Sequence, residues 1–267
     1  MQVSEIVTNR IIDQLEKGTI PWQKPWIDSP PINYVSRKPY RGINPLLLGR
    51  GGEWLTWNQI QEREGKVKKG AKSEIVVFFT KLPVNTEEGE EKTIPFLRYY
   101  KVFHLSDIEG IETKIPELIT KENTPIQECE NVMNNYTDCP EIVESDHAWY
   151  RPSTDQIGIP DISHFIGSEE YYSTLFHESI HSTLHENRLN RINDNKKVAF
   201  KSVEYSKEEL IAEVGSAMLC CYCGIDKTIE NSANYIQSWL KVLKNDKNFV
   251  IQASSKAQKA YDYILGI

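Results

Sequence analysis

Leu175-Phe176-His177-Glu178-Ser179-Ile180-His181 is the stretch that decides how this chain is read. On a helix, residues four apart share a face, so His177 and His181 can aim two imidazoles at one ion. Glu178 then projects toward the adjoining water position, where a general base would stand. Ser179 and Ile180 are uncharged, so nothing inside the motif competes for a metal. The alternative is two surface histidines on an ordinary helix, and the rest of the chain must decide between the two.

A catalytic divalent ion takes three protein ligands and keeps one position open. The third is expected from a second helix, predicted to start at Ser206 and run to residue 219, where Glu209 and Glu213 lie four apart. Glu209 is the preferred ligand, and Glu213 the preferred partner orienting a ligating imidazole from behind. Glu209 would also serve as the capping-box partner of Ser206. Glu213 stands among Ala212, Val214, Gly215 and Ala217, where an unpaired carboxylate would be costly. His185 continues the face of the two histidines and is a rival ligand near the predicted helix end. A third histidine six residues beyond His181 is ruled out, because that position is Asn187. Zinc is the expected ion, with another divalent metal such as manganese as the alternative. Such an ion activates water, and Glu178 would pass the proton to a leaving amine. Tyr171, Tyr172 or a residue within 187–205 would stabilise the oxyanion.

The remaining numbers bound the class. The chain has 267 residues, long enough for one large domain or two ordinary ones, and its 39% hydrophobic and 26% charged content is globular. No apolar run approaches the ~20 residues of a membrane helix, and the start lacks a signal peptide's basic and apolar regions. Five cysteines give no even framework, so a reducing, cytoplasmic setting is expected. Cys220 and Cys223 form a C-x-x-C without a second pair, which reads as buried thiols. The net charge of −7 argues by itself against nucleic acid, but it is uneven. Residues 1–80 hold twelve Lys+Arg against eight Asp+Glu, and residues 111–267 carry −9. A mildly basic front and an acidic rear suggest two domains with different partners.

In order, Val3, Ile6, Val7, Ile11 and Leu15 predict a helix that Gly18 stops. Thr56 and Gln59 form a capping box opening a short helix. Residues 74–80 and 96–104 read as paired strands around the acidic connection 87–91. Residues 111–125 read as a linker between a front domain, 1–110, and a rear domain, 126–267. The rear should hold a helix near 127–136 and strands near 141–143, 148–151 and 156–159. Ser168 should cap the motif helix, and two helices, 232–244 and 248–265, close the chain. The fold class is therefore α+β.

The front carries a second chemistry. Single-stranded nucleic acid is held by aromatic platforms and a cationic groove. Trp22, Trp26, Tyr34, Tyr40, Trp54 and Trp57 interleave with Lys24, Arg37, Lys38, Arg41, Lys69 and Lys72, and Asn44 adds an amide to the same loops. The alternative is that the tryptophans are core and the lysines a solvated face.

Several stretches together resemble the ArdC-type antirestriction family. In the front they are Tyr40-Arg41-Gly42-Ile43-Asn44-Pro45, Trp54-Leu55-Thr56-Trp57-Asn58-Gln59, Lys69-Gly70-Ala71-Lys72 and Tyr99-Tyr100-Lys101-Val102-Phe103. In the rear they are Ala148-Trp149-Tyr150-Arg151-Pro152, the motif itself, Arg188-Leu189-Asn190-Arg191 and Glu208-Glu209-Leu210-Ile211-Ala212-Glu213. The resemblance implies a mobile-element protein with an N-terminal domain that binds single-stranded DNA and a C-terminal zincin-like metallopeptidase domain. It implies protection of incoming plasmid or conjugative DNA from host restriction, with a host protein as a candidate substrate and no membrane partner. It places metal on His177 and His181, catalysis on Glu178, and the third ligand within the helix holding Glu209 and Glu213. Where relatives commonly have Trp and then Thr-Gly after the second histidine, this chain has Ser182-Thr183-Leu184. Two other readings compete: a DNA-coating protein with a structural metal, and a metalloprotease whose front recognises a protein.

Overall fold

The computed structural model describes residues 3–16, 30–85, 91–114, 125–165, 167–191, 203–225 and 232–267. The front is built on four strands: β1 (Pro31–Asn33), β2 (Gly52–Thr56), β4 (Glu74–Asn85) and β5 (Glu91–His104). Their order is β1-β2-β5-β4, with β1 parallel to β2 and the other pairs antiparallel. The two strands expected at 74–80 and 96–104 do pair, and their ladder extends from Glu74↔Val102 to Asn85↔Glu91. Because β2 meets β5 only at Val102, Phe103 and His104, the rest of the hairpin is a two-stranded ribbon. Residues 87–90 of the acidic connection lie outside the described residues. Two short strands, β3 (Lys66–Val67) and β6 (Ile108–Glu109), form a separate pair.

Two small helices seat this sheet. In α2 (Asn44–Leu48), Pro45 fits the first turn and Gly49, at φ 65°, supplies the left-handed stop. The side chain of Asn44 bonds both backbone groups of Val77, at 2.9 Å and 2.6 Å, closing part of the free edge of β4. In α3 (Trp57–Gln61) the expected capping box is present: Thr56 Oγ1 accepts from Gln59 N, and Gln59 Oε1 accepts from Thr56 N.

The first helix, α1 (Val3–Glu16), buries Val7, Ile11 and Leu15, as its spacing predicts. Each such burial contributes about 1.5–3 kcal/mol relative to exposure. That face packs on the last two helices, α7 (Ser232–Asn245) and α8 (Phe249–Leu265). Thr8 Oγ1 donates to Lys247 O, and Lys244 pairs with Glu16 at 2.6 Å. The largest core therefore runs through both halves, joining Val7, Ile11, Leu46 and Leu47 to Leu210, Trp239 and Ala257. Residues 115–124 of the expected linker lie outside the described residues.

The rear holds α4 (Pro125–Asn135), then β7 (Glu141–Glu144), β8 (Trp149–Arg151) and β9 (Gln156–Ile159), in sheet order β7-β9-β8. Gly158 makes room for the Trp149 indole, since a Cβ there would stand 2.3 Å from its ring. Next come α5 (Ser168–Ser182) and α6 (Val203–Cys223). Two boundaries differ from expectation. The cap of α5 is Gly167, with Ser168 already in the helix and no side-chain cap bond. The other helix reaches back to Val203, which puts Ser206 inside it and removes the capping-box role from Glu209. Cys220 and Cys223 are buried thiols, as expected. Among the described residues, no helix is long and apolar enough to cross a membrane.

Candidate metal centre

The site is made where α5 crosses α6. Leu175, Phe176 and Ile180 bury one side of α5, and Leu210, Ile211 and Val214 bury one side of α6. The approach is close because α6 carries Gly215 at the crossing, where a Cβ would meet Ile180 Cδ1 at 2.7 Å. Glu169 and Glu170 in the first turn of α5 suit the positive end of its dipole.

His177 and His181 are a turn apart on α5, and their Nε2 atoms converge to 3.1 Å. The rings meet edge to face, with centroids 4.8 Å apart. Glu209 on α6 completes the group: Oε2 is 3.5 Å from His177 Nε2 and Oε1 is 3.5 Å from His181 Nε2. One ligand atom from each of these three residues lies within 4.8 Å of the others. Two ligands held at ~2.05 Å in a tetrahedron stand about 3.3 Å apart, so the donor set has the dimensions of a divalent-ion site. Two imidazole nitrogens this close need either a shared proton or a cation between their lone pairs.

Carboxylates stand behind both rings. Glu213 Oε1 is 3.5 Å from His177 Nδ1, and Glu208 Oε1 is 3.7 Å from His181 Nδ1. Glu208 is itself held by Arg191 at 2.5 Å. Arg191 also donates to Ile180 O at 3.0 Å and to Thr183 Oγ1, fastening the end of α5. Burial alone would lower the His181 imidazole, but Glu208 and Glu209 outweigh it and push it up to about 10. Burial would likewise raise Glu209, yet bonds from His177 and His181 hold its carboxyl well below the usual range. Glu208 is also held low: the His181 and Arg191 contacts overcome its burial. Glu178 is half-buried and has no side-chain hydrogen bond among the described residues.

The structure thus brings together His177, His181 and Glu209, with Glu213 behind one ring. His185 is not part of the set: it lies past the end of α5, where its Nδ1 accepts from Asn187 N. Tyr172 is buried and its hydroxyl donates to Glu130, while Tyr171 packs between Phe165 and Tyr172. Sequence reasoning missed Glu208 and Arg191 as parts of the site. The available signal was the doubled acid Glu208-Glu209 and an arginine following the motif.

The front candidates fare differently. Trp22 and Trp26 lie outside the described residues. Tyr34 is 5% exposed, packs with Leu55 and Ile60, and donates to Glu112 O. Tyr40 is buried with Trp54, Val76 and Val102, and Asn44 is spent on Val77. The expectation that Tyr34, Tyr40 and Asn44 face a nucleic acid is corrected here, because packing has turned their polar and aromatic groups inward. Arg37 pairs with buried Glu53, and Arg41 with Asp262 of α8. Lys38, Lys69 and Lys72 are exposed.

Comparison with known proteins places these features. Residues 1–103 match the family described as the N-terminal domain of anti-restriction factor ArdC, and residues 128–256 match the zincin-like metallopeptidase family. A DNA primase TraC of Escherichia coli is 32% identical over 98% of this chain, and a second TraC is equally identical. The chain spans only 27% and 20% of those primases' own lengths. The uncharacterized protein y4eC of Sinorhizobium fredii is 30% identical, and the match covers 98% of this chain and 91% of that protein. The metal-free crystal structure of the antirestriction protein ArdC from plasmid R388 superposes with a TM-score of 0.80 at 36% identity, covering 99% of this chain and 97% of that one. A Mn(II)-bound structure of ArdC superposes equally well, at 34% identity over 100% and 98% of the two chains. With both of its halves matched in order, this chain belongs to the ArdC antirestriction family.

Proposed function

We propose that this chain protects incoming DNA of a mobile element from host restriction, binding single-stranded DNA with its front and holding a divalent metal in a peptidase-like site. The observation that carries the metal reading is the convergence of His177, His181 and Glu209 at one point, with Glu208 and Glu213 behind the two rings. The Mn(II)-bound ArdC relative supports a divalent ion, and zinc or manganese suits two imidazoles and a carboxylate. When bound, such an ion supplies Lewis acidity toward water and a carbonyl.

The chain's own residues do the rest. Glu213 and Glu208 face Nδ1 of His177 and His181 and would keep a proton there, leaving both Nε2 atoms to a bound ion beside Glu209. Glu209 adds the negative charge that balances a dication. Glu178, half-buried and next to His177, would take a proton from the attacking water at its carboxylate and return it to the nitrogen of the leaving amine. The expected scissile group is a peptide bond, and a host protein is the candidate substrate.

Glu178→Gln tests the catalytic part, since it keeps the shape of the side chain and removes the base. Retained metal and fold with lost antirestriction activity supports the reading. Unchanged protection of incoming DNA would reduce the site to a structural metal in a DNA-coating protein.

A further inference from the structure

One face of the β4–β5 ribbon rests on the main core through Ile75, Val77 and Leu97, and among the described residues its other face runs past the core. Phe78 is 50% exposed and Tyr100 is 44% exposed, and their rings meet edge to face with centroids 5.4 Å apart. One step along the same face, Val76 is wholly buried with Trp54 and Val102, so the face passes abruptly from core to solvent. Arg98 stands directly across the ladder from Phe78, and Tyr100 across from Val76. Side chains alternate along a strand, so Tyr99 and Lys101 occupy the opposite face, and both are exposed. Each face of the β5 segment 98–101 thus carries one cation beside one tyrosine, and neither 75–79 nor 97–103 contains an acidic residue.

We infer that this ribbon is the base-stacking surface of the DNA-binding front, with Phe78 and Tyr100 as its platform and Arg98 as its phosphate contact. The inference rests on the DNA-binding reading above and assigns it a contact surface in place of the buried Tyr34 and Tyr40. Unpaired bases offer flat apolar faces and a nearby anionic backbone, which match an exposed aromatic pair with an arginine on the same face. A duplex keeps its base faces stacked and gives such a platform nothing to hold. A second copy of this chain fits poorly, because Arg98 and Lys101 would meet their own kind. A cross-strand aromatic pair also steadies a ribbon, which accounts for Phe78 and Tyr100 but not for Tyr99 and Lys101 on the other face.

The test uses the full chain and a fluorescein-labelled oligothymidylate at low salt, read by anisotropy. Phe78→Ala and Tyr100→Ala should each weaken binding by about tenfold, whereas Tyr100→Phe, which keeps the ring, should bind as the wild type does. Tyr100→Thr retains the β-preference of the strand and should weaken binding as much as Tyr100→Ala, which separates lost stacking from a lost ribbon. Arg98→Ala should lower the slope of log affinity against log salt by about 0.7. Wild-type binding with undiminished affinity in folded Phe78→Ala and Tyr100→Thr overturns this surface and leaves the DNA-binding reading standing. Absence of wild-type binding overturns that reading and the inference with it. Equal affinity for a duplex of the same length, or self-association that the alanine variants abolish, also overturns the inference.

Discussion

Gly215 on α6 lies against Ile180 on α5 with no room for a side chain, since a Cβ at 215 would stand 2.7 Å from Ile180 Cδ1 and 2.9 Å from Cγ1. Ile180 is wholly buried and sits between the two histidines in sequence. The contact therefore sets the helix spacing that brings Glu209 to His177 and His181.

Gly215→Ala should on balance destabilise the protein. Alanine gains about 1 kcal/mol of helix propensity, but overpacking a closed interface costs about 1–3 kcal/mol. The expected result is an unfolding midpoint a few degrees lower in calorimetry, together with weaker metal binding as α6 is pushed outward. An unchanged midpoint and unchanged metal affinity would show that the two helices accommodate the methyl group.

Glu208 should matter to metal binding through His181. Glu208→Gln keeps the side-chain shape and removes the charge that faces His181 Nδ1 and pairs with Arg191. Loss of such a partner typically costs 10–100-fold in metal affinity. Competition with a chromophoric chelator should show that loss, with the unfolding midpoint of the metal-free protein moving far less than the affinity. Equal metal affinity in variant and wild type would remove Glu208 from the site.

Glu53 governs acid stability in the front. Its carboxylate accepts from Thr113 Oγ1 at 2.7 Å and from Lys114 N at 3.0 Å, and it pairs with Arg37. Burial alone would raise its pKa, but the Thr113 and Arg37 contacts outweigh it, so the folded carboxyl is held below its ordinary value. A group depressed in the folded state contributes stability above its unfolded value, near ~4.3, and loses it as pH falls toward the folded value. Glu53→Gln should therefore be less stable than wild type at pH 7, with the gap closing below about pH 4. Parallel stability profiles for the two proteins across that range would contradict this.

Local chemistry made some features legible and tertiary packing hid others. The His177–His181 pairing follows from helical spacing alone, and the Thr56–Gln59 box from two residues three apart. Glu213 drew attention because a carboxylate in an apolar helix needs a partner. Glu208 and Arg191 left only a weak signal in the sequence, the doubled acid and an arginine after the motif, because their roles depend on how closely α6 crosses α5, which Gly215 controls. Tyr34, Tyr40 and Asn44 misled because an aromatic or amide beside basic residues reads alike whether it faces a ligand or the core. The exposed Phe78 and Tyr100 were missed for the converse reason: in a β-rich run, apolar residues read as buried until the partner strand runs past the end of the sheet.

The central claim is that His177, His181 and Glu209 hold one metal ion. Elemental analysis of the purified full chain, prepared with zinc and manganese available, tests it beside His177→Ala. About one divalent ion per wild-type chain and a small fraction of that in the variant is the predicted result. Equal metal in the two proteins, or none in the wild type, would contradict it.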